Sequence, residues 1–146
     1  MIQFKNVTKV YPNGLCALSN VNFTINNGEF VFIVGASGAG KTTLIKLLLK
    51  EIEPTSGSII VDDMDLSSLR RKEIPYYRRR LGVVFQDFRL LPDRTAYENV
   101  AFAMEIVGAP LREIRRRVPA VLGMVGLGSK AHAYPHQLSG GEQQRV

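Results

Sequence analysis

A glycine-rich stretch near the start of the chain has the residue types and spacing that bind phosphate: Gly35, Ala36, Ser37, Gly38, Ala39, Gly40, Lys41 and Thr42. Glycine lacks a Cβ, so backbone N–H groups can turn inward and close on phosphate oxygens. The lysine would reach the β- and γ-phosphates of a nucleotide, and the threonine hydroxyl would complete a Mg²⁺ shell that otherwise keeps water. The spacing G-x-x-x-x-G-K-T therefore predicts a phosphate-binding loop.

Two flanking segments would hold this loop in place. Residues 30–34 are an unbroken apolar run that predicts a buried strand, and residues 43–50 predict a helix whose first N–H groups point at the phosphate. The alternative is a glycine-rich turn that binds nothing. The strand before the loop and the helix after it disfavour that alternative, because this context is what confirms the motif.

The composition is that of an ordinary globular domain. The chain has 146 residues, 45% of them apolar and 22% charged, so disorder is not expected. No apolar run approaches the ~18 residues that span a bilayer, and no signal peptide pattern opens the chain. A single cysteine, Cys16, excludes an internal disulfide and suits a reducing cytosol. The net charge of +6 suggests an anionic partner, which could be a nucleotide, a nucleic acid or a membrane surface.

The first part of the chain predicts mainly β-structure. Residues 2–7 predict a short strand, and residues 21–25 alternate apolar and polar side chains, as in a strand with one wet face. A turn at residues 26–28 leads back into the apolar run before the loop. Residues 58–61 predict another strand, and residues 81–85 predict a further, buried one. Because continuous apolar strands suit parallel sheets, we expect a small antiparallel layer beside a parallel core.

Two further side chains are candidate nucleotide contacts. Tyr11 lies in a predicted loop, where a stacked adenine ring would gain about 1–3 kcal/mol by analogy with base stacking on aromatics. A tyrosine packed over its own turn is an equally good interpretation. Gln86 follows the predicted strand 81–85, at the sheet edge where α/β proteins bind ligands, so its amide oxygen could contact Mg²⁺. As a lone glutamine it would more often be an ordinary loop residue.

Asp62 and Asp63 imitate a metal site. They follow the apolar residues 59–61, as does the acid that holds Mg²⁺ in phosphate-loop ATPases. Two aspartates after so short a strand are better explained by a turn. We therefore expect the metal-binding acid to lie outside this sequence.

The second half of the chain predicts helices. Thr95 and Glu98 have capping-box spacing and open a helix to about residue 107, where Gly108 ends it. The predicted inner face of this helix consists of Val100, Ala103, Met104 and Val107. A second apolar stripe consists of Leu111, Ile114, Val118, Val121, Leu122 and Val125. Outside this stripe lie Arg112, Arg115, Arg116 and Arg117, which could meet acidic lipid or an acidic partner but are more often a solvated face. Pro119 predicts a kink or a break near Val118.

A second motif lies at residues 138–145, with the sequence LSGGEQQR. Ser139 and Glu142 have capping-box spacing, so a helix is predicted to begin at the two glycines. Exposed N–H groups at that point leave room for the close approach of a phosphate. In isolation, a flexible glycine cap without a ligand would be a fair alternative.

The loop at residues 35–42, Gln86 and residues 138–143, in this order, resemble the nucleotide-binding domain of ABC-type ATPases. The whole chain also resembles the bacterial cell-division members of that family. Residues 83–92 are the most specific part of this resemblance. The resemblance implies an α/β fold: a P-loop core with an antiparallel layer in residues 1–86, and a helical subdomain in residues 87–146. It also implies that the core is incomplete at its C-terminal end.

The resemblance also implies roles for the candidate residues. Tyr11 would stack on adenine, the loop from Gly35 to Thr43 would cradle the phosphates of ATP or ADP, and Thr42 and Gln86 would contact Mg²⁺. ATP would join a homodimer head to tail, because the opposite subunit's γ-phosphate would be contacted by Ser139, Gly140, Gly141 and Gln143. The helical subdomain would bind an integral membrane partner of the FtsX type at the cytoplasmic face of the bacterial inner membrane. The complex would act in cell division.

The chain departs from the family pattern at its end. It stops before the family's acidic Mg²⁺ strand, catalytic glutamate and switch histidine, and His132 and His136 precede the second motif and cannot replace that histidine. We therefore expect no catalytic residue in the chain, and we expect residues 1–146 by themselves to bind nucleotide without hydrolysing it. Two other functions stay open: the ATPase of an importer or lipoprotein-releasing exporter, and a soluble ABC protein that acts on nucleic acid or the ribosome.

Overall fold

The structure, a computed structural model, describes all residues from 1 to 146 and divides into two compact units, Met1–Leu81 and Gly82–Val146. Each unit has its own buried core. No helix in either unit has the length and apolar character that crossing a membrane requires. The functional boundary after residue 86, which the resemblance implies, stays a prediction.

The first unit is built on a four-stranded antiparallel sheet. Its strands are β1 (Ile2–Val10), β2 (Cys16–Ile25), β3 (Ser56–Val61) and β4 (Met64–Asp65), in the spatial order β2-β1-β3-β4. Phe4 of β1 lies opposite Phe23 of β2, and their rings stack with centroids 4.5 Å apart. The predicted antiparallel layer is confirmed.

Strand β2 has the wet face that its alternating sequence predicts. Val21, Phe23 and Ile25 are partly buried, whereas Asn22 and Thr24 between them are exposed. The predicted turn follows this strand: Gly28 has a φ of 79°, and the N–H of Glu29 donates to the carbonyl oxygen of Asn26 at 3.3 Å.

The phosphate-loop helix, α1 (Lys41–Leu48), packs its buried residues Leu44 and Leu47 into the core of the first unit. A short helix, α2 (Ile74–Arg78), holds the other end of α1. The hydroxyl of Tyr77 donates to the carbonyl oxygen of Leu48 at 2.7 Å, and the guanidinium of Arg78 donates to those of Leu49 and Lys50 at 2.7 and 3.1 Å. These bonds satisfy carbonyls that a helix C-terminus leaves without partners.

Two predicted strands are not formed. Residues 30–34 and 81–85 lie outside every β-sheet, and Phe30, Val34 and Val84 are 84%, 87% and 82% exposed. All strand pairs in the sheet are antiparallel. The prediction that these two runs form parallel strands is therefore wrong for this structure. A strand exists only through hydrogen bonds to a neighbouring strand, and an apolar run by itself does not supply that neighbour.

The second unit is helical. It contains α3 (Ala96–Ile106), α4 (Leu111–Met124) and α5 (Gly140–Arg145). Its core consists of Ala96, Ala101, Ile114, Val118, Leu122, Leu127 and Leu138.

Helix α3 starts and stops as predicted. The Thr95 hydroxyl accepts from the backbone N–H of Glu98, the Glu98 carboxylate accepts from the backbone N–H of Thr95, and Gly108 follows with a φ of 77°.

The predicted inner face of α3 is partly wrong. Val100 and Met104 are partly buried as expected, but Ala103 is exposed and Val107 is 55% exposed. The residues buried on this helix are Ala96 and Ala101. Their side chains are small, so they carry little weight in an apolar pattern although they permit close approach of neighbouring residues.

Helix α4 buries the middle of its predicted stripe, Ile114, Val118 and Leu122, while Leu111 and Val121 are exposed. The break predicted at Pro119 is wrong, because α4 continues without interruption to Met124. Arg115, whose carbonyl loses its N–H donor to the proline, is an exposed residue, so water can take the place of that donor.

Candidate functional site

The phosphate loop passes closely over strand β2 before it enters α1. Gly40 has a φ of 83°, and a Cβ built on it would lie 2.5 Å from the carbonyl oxygen of Ala17 and 2.7 Å from Cδ2 of Leu18. Only glycine fits such a position, because an added Cβ would overlap the backbone of β2. No side chain caps the N-terminus of α1, so its first N–H groups are available to an anion.

Lys41 lies over the start of the loop. Its ammonium donates to the carbonyl oxygens of Gly35 and Ala36, each at 2.7 Å. The ammonium has three N–H donors, so one is left for a ligand oxygen. The neighbouring Thr42 is exposed and its hydroxyl makes no hydrogen bond, whereas Thr43 is buried. The loop therefore combines one cation, an uncapped helix N-terminus and one hydroxyl without a partner.

Tyr11 lies beside this loop. The backbone of Tyr11 is held in a turn by bonds with Leu15 and Gly14, each 2.9 Å long. Its hydroxyl is hydrogen-bonded to Oγ1 of Thr43 at 3.2 Å, and the ammonium of Lys9 lies over the ring, 5.6 Å from the centroid. The structure therefore brings Tyr11 to the phosphate-loop helix, and stacking of its ring on adenine stays a prediction.

Asp62 and Asp63 form the turn between β3 and β4, as their sequence predicts. Both are left-handed, with φ of 47° and 65°. The Asp62 carboxylate accepts from the ammonium of Met1 at 2.6 Å and from Arg80 at 2.9 Å, and the bond to the N-terminal ammonium is the main reason that the pKa of Asp62 lies below its usual range. No group of three or more His, Cys, Asp or Glu side chains is placed to hold a metal.

The second motif has the capped geometry that its sequence predicts. The hydroxyl of Ser139 accepts from the backbone N–H of Glu142 at 3.3 Å, and the Glu142 carboxylate accepts from the backbone N–H of Ser139 at 2.9 Å. Lys130 binds the same carboxylate at 2.5 Å, and this hydrogen bond is the main reason that the pKa of Glu142 falls to about 2. Gly140 and Gly141, like Ser139, are exposed.

Two other predicted site residues belong to the second unit. Gln86 lies in an exposed turn, and its side chain makes no hydrogen bond. Because Thr42 belongs to the first unit, joint contact of Thr42 and Gln86 with Mg²⁺ stays a prediction. The amide of Gln143 donates to the carbonyl oxygen of Leu138 at 3.0 Å, so this side chain braces the motif from within.

Sequence reasoning missed three residues around the site. Lys9 lies over the Tyr11 ring, and Tyr77 and Arg78 hold the end of α1 that faces away from the loop. The position of a lysine two residues before the tyrosine did not predict their contact, because that contact depends on how the chain turns at the end of β1. The contacts of Tyr77 and Arg78 join residues 28 or 29 positions apart, and no local pattern encodes them.

The sequence profile of the family described as ABC transporter matches residues 18–146, which include the phosphate loop and the second motif. The chain belongs to the ABC transporter family.

Relatives within the ABC transporter family include cell-division proteins. The chain is 54% identical over 146 residues to the cell division ATP-binding protein FtsE of Bacillus subtilis (strain 168), covering 100% of this chain and 64% of that protein. It is 49% identical to FtsE of Escherichia coli (strain K12), with coverage of 100% and 66%. The chain thus spans about two thirds of the length of these curated relatives.

Solved ABC cassettes have the same fold. The dimeric structure of the ATP-binding cassette MJ0796 in a post-hydrolysis state, bound to ADP and Pi, matches 99% of this chain and 66% of its own length, with 40% identity and a TM-score of 0.90. The predicted fold class, an α/β ABC ATPase core with an antiparallel layer and a helical part, is confirmed.

Proposed function

We propose that this ABC transporter-family chain is the ATP-binding part of a bacterial cell-division ATPase. The observation that carries the proposal is the phosphate loop, where the Lys41 ammonium, the uncapped N-terminus of α1 and the Thr42 hydroxyl stand together. Charge-assisted contacts of this kind are the usual means of holding the β- and γ-phosphates of a nucleotide. Tyr11, next to Thr43, supplies the aromatic face for adenine.

Magnesium fits the same loop. Mg²⁺ prefers hard oxygen ligands and usually keeps several of its waters. The exposed Thr42 hydroxyl is one such ligand, and the amide oxygen of Gln86, which belongs to the second unit, is another. These two side chains would help to hold the ion, which would supply positive charge to offset that of the phosphates. The carboxylate and water-positioning groups that hydrolysis also needs are not supplied by Asp62 and Asp63, which serve a turn. Hydrolysis is thus proposed for the full gene product and not for residues 1–146 alone.

The second motif is proposed to act in trans. Ser139, Gly140 and Gly141 are exposed at the start of α5, and the Glu142 carboxylate is paired with Lys130. An ATP molecule held by one subunit would then be contacted by these residues of the other, which makes a head-to-tail homodimer. The related cassette MJ0796, which is itself dimeric, supports this proposal.

The cell-division role rests on the relatives. Identity is 54% to the FtsE protein of Bacillus subtilis, against 32% to cbiO1, part of the ABC transporter complex cbiONQ of Clostridium perfringens. We therefore favour an integral membrane partner of the FtsX type, bound at the cytoplasmic face of the plasma membrane through the helical part of the chain. Isolation of the native complex and identification of its membrane subunit separates this role from that of an importer or exporter ATPase.

The phosphate-loop proposal is tested by Lys41→Ala in the full gene product. Loss of a charged donor to the β- and γ-phosphates should lower the affinity for Mg·ATP about a hundredfold, the upper range for a hydrogen bond to a charged group. Lys46→Ala is the matched control, because Lys46 lies on the same helix but in its last turn. Titration calorimetry measures both. Parental affinity in the Lys41 variant would contradict the assignment.

A further inference from the structure

The Tyr11 side chain is fixed at its far end by the phosphate-loop helix. Its hydroxyl is hydrogen-bonded to Oγ1 of Thr43 at 3.2 Å, and Thr43 is itself buried in the first turn of α1. The other end of the residue is fixed by the turn bonds with Leu15 and Gly14. The ring is therefore held at both ends although it lies in a loop.

Lys9 covers one face of this ring, and its position is also fixed. The ammonium lies 5.6 Å from the ring centroid, within the distance over which a cation is attracted to a π-face. The same ammonium donates to the carbonyl oxygen of Glu53 at 2.7 Å. Lys9 is thus hydrogen-bonded to a neighbouring segment of the chain.

The segment that anchors Lys9 is bonded to strand β1. The N–H of Thr55 donates to the carbonyl oxygen of Thr8 at 2.8 Å, and the hydroxyl of Thr55 accepts from the N–H of Val10 at 2.9 Å. Because these bonds flank Lys9 on both sides, the end of β1 and residues 53–55 form one connected support behind the tyrosine. No other ring or cation stacks on Tyr11.

We propose that Lys9 and Thr43 are positioning residues that hold the Tyr11 ring as a preformed platform for the base, with Lys9 over one face and adenine on the opposite face. This inference rests on the proposed function, since it concerns how the nucleotide site is built. A ring ordered in advance loses little conformational freedom when a base stacks on it, so binding retains more of the stacking energy. Neither Lys9 nor the Tyr11 hydroxyl needs to touch the nucleotide for this effect.

The test compares ligands that share phosphates but differ in the base. Lys9→Met and Tyr11→Phe are made in the full gene product, and the affinities for ATP, ADP and inorganic pyrophosphate are measured by calorimetry. Each variant should bind ATP and ADP about threefold more weakly, the effect of ordering one side chain, while its affinity for pyrophosphate stays parental. Lys9→Arg keeps a cation over the ring and should restore the affinity for ATP.

The matched control is Lys5→Met, which removes an exposed lysine of the same strand whose ammonium lies over no aromatic ring. It should leave all three affinities unchanged. A general loss of structure would lower the affinity for pyrophosphate too, so the ratio of the ATP and pyrophosphate affinities reports positioning.

Three results would overturn the inference. The first is an unchanged affinity for ATP in both Lys9→Met and Tyr11→Phe, and the second is an equal loss for ATP and pyrophosphate. Either would leave the proposed function standing, provided that the parent protein binds ATP more tightly than pyrophosphate. A parent that binds neither ligand would overturn the proposed function together with the inference.

Discussion

Replacement of Gly40 by alanine tests the close approach of the phosphate loop to strand β2. The new methyl group would meet the carbonyl oxygen of Ala17 at 2.5 Å, and the residue would keep a left-handed φ near 83°. Gly38 provides a matched control in the same loop, since its φ is 82° but nothing lies within 4 Å of an added Cβ. The two variants therefore share the backbone strain and differ in the steric overlap.

The magnitudes follow from these two contributions. A left-handed conformation costs an L-residue roughly 1–2 kcal/mol, and this cost applies equally to both positions. Overpacking against a backbone that cannot move away adds about 1–3 kcal/mol at Gly40 alone. We expect Gly40→Ala to lower the free energy of unfolding by roughly 2–5 kcal/mol and Gly38→Ala by roughly 1–2 kcal/mol.

Urea denaturation of the ligand-free protein, followed by circular dichroism, measures this difference as a shift in the midpoint at constant slope. The affinity for ATP should also fall in the Gly40 variant, because relief of the overlap moves the start of α1 away from the position that holds phosphate. Equal destabilisation by the two alanines would show that the overlap with Ala17 does not exist and that the loop does not press on β2.

Three further predictions concern the nucleotide contacts and the second motif. Tyr11→Ala should weaken binding of ATP and ADP alike, by about tenfold, because both ligands lose the same stacking contact; a variant that discriminates between them in calorimetry would show that Tyr11 does not stack on the base. Ser139→Arg should leave nucleotide binding to the single subunit intact and prevent ATP-dependent dimerisation of a hydrolysis-deficient full-length form, and light scattering that finds a dimer as tight as the parent would contradict the role in trans. Glu142→Gln should remove a pH-dependent stabilisation, since the hydrogen bond from Lys130 lowers the pKa of Glu142 from 4.5 to about 2 in the folded protein. A lowered folded-state pKa stabilises the fold above about pH 4.5, and this stabilisation is lost as the pH falls toward about 2. The gap in thermal midpoint between parent and variant should therefore be full at pH 7 and reduced at pH 3, and a gap that does not change with pH would refute the assignment.

Local patterns in the sequence predicted the parts of the fold that depend on a few neighbouring residues. The two capping boxes, at Thr95 and Ser139, each join residues three positions apart, and both are formed. The turns at residues 26–28 and at Asp62 were equally readable, because the groups that make a turn are adjacent in the chain. The phosphate loop belongs to the same class, since its glycines and Lys41 act within eight residues.

Properties that depend on distant residues could not be read in this way. The apolar runs at 30–34 and 81–85 predicted strands, but a strand requires a partner at its edge, and the run does not specify one. The tolerance of Pro119 depends on the exposure of the face of α4 on which Arg115 lies. The contact of Tyr11 with Thr43 arises because the end of β1 and α1 belong to one unit, which brings together side chains that are 32 positions apart. The residue types of the nucleotide site could thus be recognised from local sequence. The contacts that hold Tyr11 against α1 depend on the folded chain, because a hydrogen bond between distant residues forms only once their elements have packed together.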